Sequence, residues 1–248
     1  MQALRREGAH SRRTREALNP PFQLQRNLFV LQIPFLRVIR GRNRMSVERT
    51  TVYFEKPGKE NTAETLKIAR DAAIERDIDT VLISSTTGWT ALEALKVFEV
   101  NGLNIIFVTH QTGYRGPGMQ LMPPETRKKL EEAGAVVYTG TDVLTGSVDV
   151  GMSRQRPPKT APQEGRLPHI VPPVSAIVAH TLRLFSQGVK VCVEIALMAA
   201  DAGLVSVDKP VVSVAGSHAG SDTAMVITPA SSNRIRELKI HEILAKPL

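Results

Sequence analysis

The stretch TVLISSTTGWT, residues 80–90, joins an apolar strand to a helix through a turn of hydroxyl side chains. Residues 80–83 are β-branched or leucine, which is typical of a buried strand. From Thr90 to Val100 the apolar residues recur at helical spacing, which predicts a helix. A strand that runs directly into a helix is the repeating unit of α/β folds, so this stretch decides the fold class.

The same alternation of strand and helix continues on both sides of this stretch. Further strands are predicted at residues 51–54, 103–109, 135–138, 211–214, 224–227 and 240–244. Further helices are predicted at residues 61–76, 123–134, 174–187 and 189–202. Asn61 and Glu64 fit a capping box at the first of these helices. Gly188 is the predicted break between the last two.

The strands are nearly continuous apolar runs, which indicates a parallel sheet covered on both faces. We therefore predict an α/β fold, a three-layer α/β/α sandwich whose mostly parallel sheet has an antiparallel edge. The strand before Pro229 is expected to be an edge strand or to end there.

The net charge lies at the N-terminal end of the chain. Residues 1–44 contain ten arginines, no lysine and two glutamates, so they carry the whole formal charge of +8. The remaining residues are neutral overall, so no nucleic-acid partner is expected for the core. We divide the chain into an Arg-rich extension, residues 1–44, expected to be disordered, and one α/β domain, residues 45–248.

Three interpretations of the extension compete. A targeting peptide would need a small-residue cleavage site and a clean apolar segment, which are lacking. A basic arm for nucleic acid or anionic lipid is the second interpretation. The third, which we favour, is an upstream extension of a chain that naturally starts at Met45 and not at Met1.

A second unusual stretch, residues 153–173, contains six prolines. Proline at this density excludes a regular helix or a central strand. We predict an exposed loop or a disordered insertion that separates two halves of the domain.

The lone cysteine, Cys192, allows no intrachain disulfide, so a reducing, cytoplasmic compartment is expected. No uninterrupted apolar run reaches about 18 residues, so no membrane span is expected. The histidines are scattered without metal-ligand spacing, and no metal is predicted. Both a monomer and a homo-oligomer are compatible with the sequence.

The hydroxyl turn at the start of the helix is the main candidate binding site. A helix N-terminus offers free N–H groups and roughly half a positive charge, which suits a phosphate and needs no lysine. The alternative is that these hydroxyls are ordinary helix caps. The predicted phosphate-binding residues of the turn are Ser84, Ser85, Thr86, Thr87, Gly88 and Thr90.

Two glycine-rich loops also follow strands, where ligands bind in open α/β sheets. Residues 110–118 are either a lid, with Arg115 on a phosphate and Tyr114 on a ring, or a flexible surface loop. Residues 216–223 can bring backbone amides close to a ligand. Further ligand candidates are Lys56, Asn61, His110, Thr112, Gly113, Arg115, Gly216, Ser217, Ser221 and Asp222.

Three side chains are candidates for acid–base catalysis: Glu194, His110 and Asp222. Glu194 lies in a strongly apolar helix, so it is either a satisfied structural carboxylate or a ligand contact. Asp222 either accepts from a ligand hydroxyl or caps a turn. Cys192 is expected to lie in the core, because no neighbouring group activates it.

Five segments together resemble a known family. They are FEKPGKENTAETL (54–66), SSTTGWTALEAL (84–95), VTHQTGYRGPGMQLMPPE (108–125), GVKVCVEIALMAADAGL (188–204) and VAGSHAGSDTAMVITPA (214–230). The family is the stand-alone archaeal and bacterial group similar to the C-terminal α/β domain of pyruvate kinase. The resemblance covers nearly all of residues 52–247. Residues 1–44 lie outside its pattern, and residues 153–173 replace a shorter connection.

The resemblance implies a three-layer fold with one antiparallel edge strand. It also implies that the catalytic barrel is absent, so pyruvate kinase activity is not expected. In pyruvate kinases the matching turn holds a phosphate of a sugar-bisphosphate effector, and flavin mononucleotide (FMN) is a candidate ligand for the stand-alone family. The residues that occupy this turn here are Ser84, Ser85, Thr86, Thr87 and Thr90.

The preferred function is binding of a phosphate-bearing small molecule, FMN or a sugar phosphate, at strand-to-helix turns. The alternative is a flavin-dependent or phosphate-ester-transforming enzyme that uses the same pocket. A third hypothesis is an interaction of residues 1–44 with nucleic acid or a membrane surface, which salt would weaken steeply.

Overall fold

A computed structural model of the chain describes residues 36–37, 46–98, 102–153 and 172–248. The strands are β1 (Leu36–Arg37), β2 (Glu48–Arg49), β3 (Val52–Phe54), β4 (Thr80–Ser84), β5 (Asn104–Thr109), β6 (Val136–Thr139), β7 (Val211–Ala215), β8 (Thr223–Thr228) and β9 (Lys239–Pro247). The helices are α1 (Thr62–Glu75), α2 (Trp89–Val97), α3 (Pro124–Glu132), α4 (Val148–Ser153), α5 (Val174–Arg183) and α6 (Gln187–Asp201). Short 3₁₀ helices span Lys59–Asn61 and Ser232–Glu237.

Seven strands form the main sheet in the order β3-β9-β8-β7-β4-β5-β6. The pairs β3–β9, β7–β4, β4–β5 and β5–β6 are parallel, and β8 is antiparallel to both of its neighbours. β8 lies third from the β3 end of the sheet and ends at Thr228, one residue before Pro229. β1 and β2 form a separate antiparallel pair.

Helices cover both faces of the sheet because side chains alternate along each strand. In β4, Val81 and Ile83 pack into the core that contains α1, α2 and α3. Leu82 faces the opposite core, which is built largely from α5 and α6. The predicted three-layer α/β/α sandwich with a mostly parallel sheet is confirmed.

Two local predictions are wrong. Gly188 does not break the second pair of helices but lies in the first turn of α6, which is capped by the Ser186 hydroxyl accepting from Val189 N at 3.0 Å. Asn61 makes no capping bond to α1, since its amide donates instead to Lys56 O at 2.8 Å.

The predictions of disorder for residues 1–44 and of a loop or insertion at 153–173 lie largely outside the described residues. Within the described ranges, no helix combines the length and apolar character that crossing a bilayer requires.

Candidate functional site

A cavity of about 900 Å³ opens at the carboxyl ends of the parallel strands. Its walls come from the segments that follow β3, β4, β5, β6 and β7, from the end of α5 and from α6. After β4 the chain adds β5 and then β6 on one side of β4 in the sheet, with the connecting helices α2 and α3 on one face. It then passes through α5 and α6 on the opposite face and adds β7 on the other side of β4. Such a reversal of strand order leaves a crevice in which ligands of open α/β proteins bind.

The cavity brings together ten of the predicted site residues, and seven others lie outside its lining. Those that line it are Ser84, Ser85, Thr86, Thr87, Thr90, His110, Arg115, Glu194, Gly216 and Ser217. Those that do not are Lys56, Asn61, Gly88, Thr112, Gly113, Ser221 and Asp222.

The hydroxyl turn keeps most of its polar groups unengaged. The buried Ser85 is the exception, because its hydroxyl accepts from Ala91 N at 3.1 Å and caps α2. Within the described residues, the hydroxyls of Ser84, Thr86, Thr87 and Thr90 have no hydrogen-bond partner. The turn therefore presents free donors to the cavity at the N-terminus of a helix.

Gly88 shapes the turn without lining the cavity. Its φ of 89° lies in the left-handed region, and a Cβ there would lie 2.4 Å from Thr126 Cγ2. Glycine is therefore needed both for the backbone conformation and for the approach of α3.

His110 follows β5 and is held on two sides. Its Nδ1 lies 2.8 Å from Asp142 Oδ2, and its ring stacks on Tyr114 with centroids 4.0 Å apart and planes within 1°. The Asp142 side chain is 5% exposed and that of His110 is 32% exposed, so the carboxylate is fixed and the imidazole faces the cavity. This is the arrangement that orients an imidazole for proton transfer.

Glu194 forms a buried ion pair with Lys190, one helical turn earlier on α6, and both side chains are 3% exposed. Glu194 Oε1 also accepts from Leu144 N at 2.9 Å and from Thr145 Oγ1 at 3.0 Å. Lys190 Nζ donates to Thr145 Oγ1 at 3.1 Å. The carboxylate is thus a satisfied buried group, as one of the two interpretations required, and it still lines the cavity.

Asp222 is fully buried and connects three segments. Its Oδ2 accepts from Gly58 N at 3.3 Å and Ser217 N at 3.1 Å, and its Oδ1 accepts from Thr223 Oγ1 at 2.9 Å. Because the side chain is fully buried, it cannot contact a ligand hydroxyl. Asp222 instead holds the cavity loops in position from within the protein. The neighbouring Ser221 hydroxyl is buried without a partner among the described residues.

Three cations line the cavity without a carboxylate partner among the described residues: Lys59, Arg115 and Arg183. Lys59 Nζ lies 3.7 Å above the Trp89 ring at the start of α2. Arg183 donates to Gln187 Oε1 at 2.7 Å. An unpaired excess of positive charge around a polar cavity favours an anionic ligand.

Several lining residues were not predicted. Lys190 could have been found, because a lysine four residues before a buried glutamate on a helix can form an ion pair. Lys59, Asp142 and Arg183 carried no local signal, since each reaches the cavity only through the tertiary fold.

Cys192 lies in the core between α6 and the sheet and does not line the cavity. Its thiol donates to Ser213 O at 3.3 Å, and complete burial raises the pKa of the thiol well above its usual range, with the nearby charge of Asp222 acting in the same direction. A protonated, buried thiol is not a nucleophile.

No family model matches the sequence. Across the described ranges, no three His, Cys, Asp or Glu side chains are grouped so that they could hold a metal ion. The chemistry of the cavity side chains is therefore the basis for a functional proposal.

Proposed function

We propose that the chain binds a phosphate-bearing small molecule, with the phosphate at the hydroxyl turn, residues 84–90. The observation that carries the proposal is the turn itself, which directs unengaged hydroxyls into a cavity at a helix N-terminus. Each charge-assisted hydrogen bond to a phosphate contributes roughly 1.5–3 kcal/mol. The unpaired cations Lys59, Arg115 and Arg183 supply the balancing charge.

FMN and sugar phosphates are the two ligand classes that we propose. A cavity of about 900 Å³ lies within the range of small-molecule sites and can hold either class. The sequence resemblance to the stand-alone relatives of the pyruvate kinase C-terminal domain supports the same two ligands. We propose membership of that group together with the ligand.

Binding is tested by thermal and urea unfolding with FMN, fructose 1,6-bisphosphate, ribulose 5-phosphate and inorganic phosphate as probes. A ligand at a hundred times its Kd stabilises the native state by about 2.7 kcal/mol. A visible flavin spectrum or an FMN mass in native mass spectrometry of the purified protein would select FMN. If no probe stabilises the protein and no ligand copurifies, the proposed function is wrong.

Lys59→Gln tests the place of binding. Removing one cation from the cavity rim costs about 1 kcal/mol, which is roughly a fivefold increase in Kd. Lys56→Gln is the matched control, because Lys56 lies three residues earlier, is also exposed and does not line the cavity. Equal effects of the two substitutions would place the phosphate elsewhere.

A further inference from the structure

Two acid–base pairs line the cavity besides the hydroxyl turn. They are His110 with Asp142 and Lys190 with Glu194. One turn, residues 142–146, connects them: Asp142 O accepts from Thr145 N at 3.2 Å, and Thr145 Oγ1 contacts both Glu194 and Lys190. The imidazole and the ammonium therefore lie on one continuous wall.

His110 is arranged to exchange a proton with a ligand. With its Nδ1–H donating to Asp142, the ring presents Nε2 as a base, and Nε2 has no partner among the described residues. The parallel stack on Tyr114 restricts rotation of the ring. An oriented imidazole with one free nitrogen is the side chain most often used for general acid–base catalysis.

Lys190 is arranged to polarise an oxygen atom. An ammonium has three N–H donors, and two of those of Lys190 are used by Glu194 and Thr145. The third has no partner within the described part of the chain, and the side chain lines the cavity. Removal from bulk water strengthens its interaction with a developing negative charge.

We propose that the site catalyses proton transfer at the carbon next to the carbonyl group of a phosphorylated sugar. His110 Nε2 takes the C–H proton, the electron pair of that bond forms the C=C of an enediolate, and the carbonyl oxygen takes up the charge beside Lys190 Nζ. The aldose forms when the proton of the neighbouring hydroxyl moves to the former carbonyl oxygen, that hydroxyl carbon becomes the new carbonyl, and the C=C electron pair takes the proton back from His110 at the former carbonyl carbon. Return of the proton to the carbon that lost it regenerates the ketose. The step needs no further reactant.

This inference rests on the proposed phosphate site, which anchors the sugar, and it selects a sugar phosphate over FMN. His110 is the proposed catalytic residue, and Asp142 is a positioning residue that acts through it. The lone thiol is excluded as the reacting group, because Cys192 is buried and bonded to Ser213 O.

The test is deuterium exchange in D₂O, followed by proton NMR, with dihydroxyacetone phosphate, ribulose 5-phosphate and fructose 6-phosphate as probes. The wild-type protein is expected to exchange the carbon-bound proton next to the carbonyl of at least one probe. His110→Gln should slow exchange at least about a hundredfold without loss of binding. His241→Gln is the control, because His241 contacts Thr228 and does not line the cavity.

Two variants separate catalysis from folding. Imidazole added to His110→Ala should restore part of the exchange, which no merely structural role of His110 predicts. Asp142→Asn should lower the exchange rate while the probe concentration for half-maximal stabilisation stays within about twofold. If affinity and rate fall together in Asp142→Asn, its positioning role is wrong.

The two proposals fail in different ways. Stabilisation by these probes without exchange would overturn the catalytic inference and leave phosphate binding intact. Absence of both stabilisation and exchange would overturn the catalytic inference, and it would overturn phosphate binding as well only if FMN and inorganic phosphate also fail to stabilise the protein and no ligand copurifies. Exchange at the wild-type rate in His110→Gln would remove His110 from the mechanism.

Discussion

Gly188 is the residue that lets α6 approach the sheet. A Cβ at this position would lie 2.0 Å from Thr223 Oγ1 and 2.5 Å from Thr223 Cβ, and Thr223 is fully buried. The neighbouring atoms have no room to move, so the glycine is required by packing and not by backbone conformation.

Gly188→Ala is expected to lower the free energy of unfolding by about 1–3 kcal/mol, because overpacking outweighs the better helix propensity of alanine. Urea unfolding followed by circular dichroism measures the change. Gly151→Ala in α4 is the matched control, since a Cβ there meets nothing within 4 Å. If Gly188→Ala unfolds at the same urea concentration as the wild-type protein, the close contact with Thr223 is absent.

The chemistry of individual residues in the sequence predicted part of the site. The hydroxyls of Thr86 and Thr87 were recognisable because they follow a strand and precede a helix. The turn-cap interpretation of Asp222 fits its bond from Ser217 N in the same loop, but its bond from Gly58 N was not recognisable, because Gly58 comes from the distant loop after β3. Local sequence specifies which groups can bond, and tertiary packing decides which do.

The element that matters most for the site is α6, which carries a buried ion pair on an otherwise apolar helix. Lys190 and Glu194 bind each other and the turn after β6, so the pair fixes the helix against that turn. Removing one charge leaves the other buried and uncompensated, which costs more than the pair itself contributes.

Lys190→Met and Glu194→Gln are each expected to lose about 3–5 kcal/mol of unfolding free energy. The double variant should be more stable than either single variant, because it buries no net charge and the introduced amide oxygen would still accept from Leu144 N. A double-mutant cycle from urea unfolding measures this coupling. Additive losses would mean that the two side chains do not interact in solution.

Elements were easier to predict than their ends. The strands β4, β5 and β7 are apolar along their length because both faces are covered, which gives a strong local signal. The break between α5 and α6 was misplaced at Gly188, since glycine usually interrupts helices, whereas the Ser186 cap sets the true boundary. Packing against β8 overrides the intrinsic preference of glycine.

At the scale of the whole molecule, Asp222 joins regions far apart in the sequence. Its carboxylate holds the loop after β3 through Gly58 N, the loop after β7 through Ser217 N, and the start of β8 through Thr223 Oγ1. The first of these loops also carries Lys59, which lines the cavity. One buried side chain therefore couples stability to the shape of the site.

Asp222→Ala is expected to lower the free energy of unfolding by about 3–5 kcal/mol, because it leaves the part-buried N–H groups of Gly58 and Ser217 and the buried Thr223 hydroxyl without their acceptor. Asp222→Asn should cost only about 1 kcal/mol, since its amide oxygen can accept from the two N–H groups and its NH₂ can donate to Thr223 Oγ1. Urea unfolding compares the two variants. Equal losses would show that charge and not hydrogen bonding is what the position requires.

β3 and β9, the first and the last strands of the main sheet in sequence order, lie side by side. Among the described residues β3 pairs only with β9, Thr51 Oγ1 donates to Ile243 O at 2.8 Å, and Leu248 N donates to Phe54 O at 3.0 Å. During vectorial synthesis on a ribosome, β3 therefore emerges almost two hundred residues before its partner. The nascent protein must carry an unmatched strand until residues 245–247 leave the exit tunnel, so the sheet is completed only at that point.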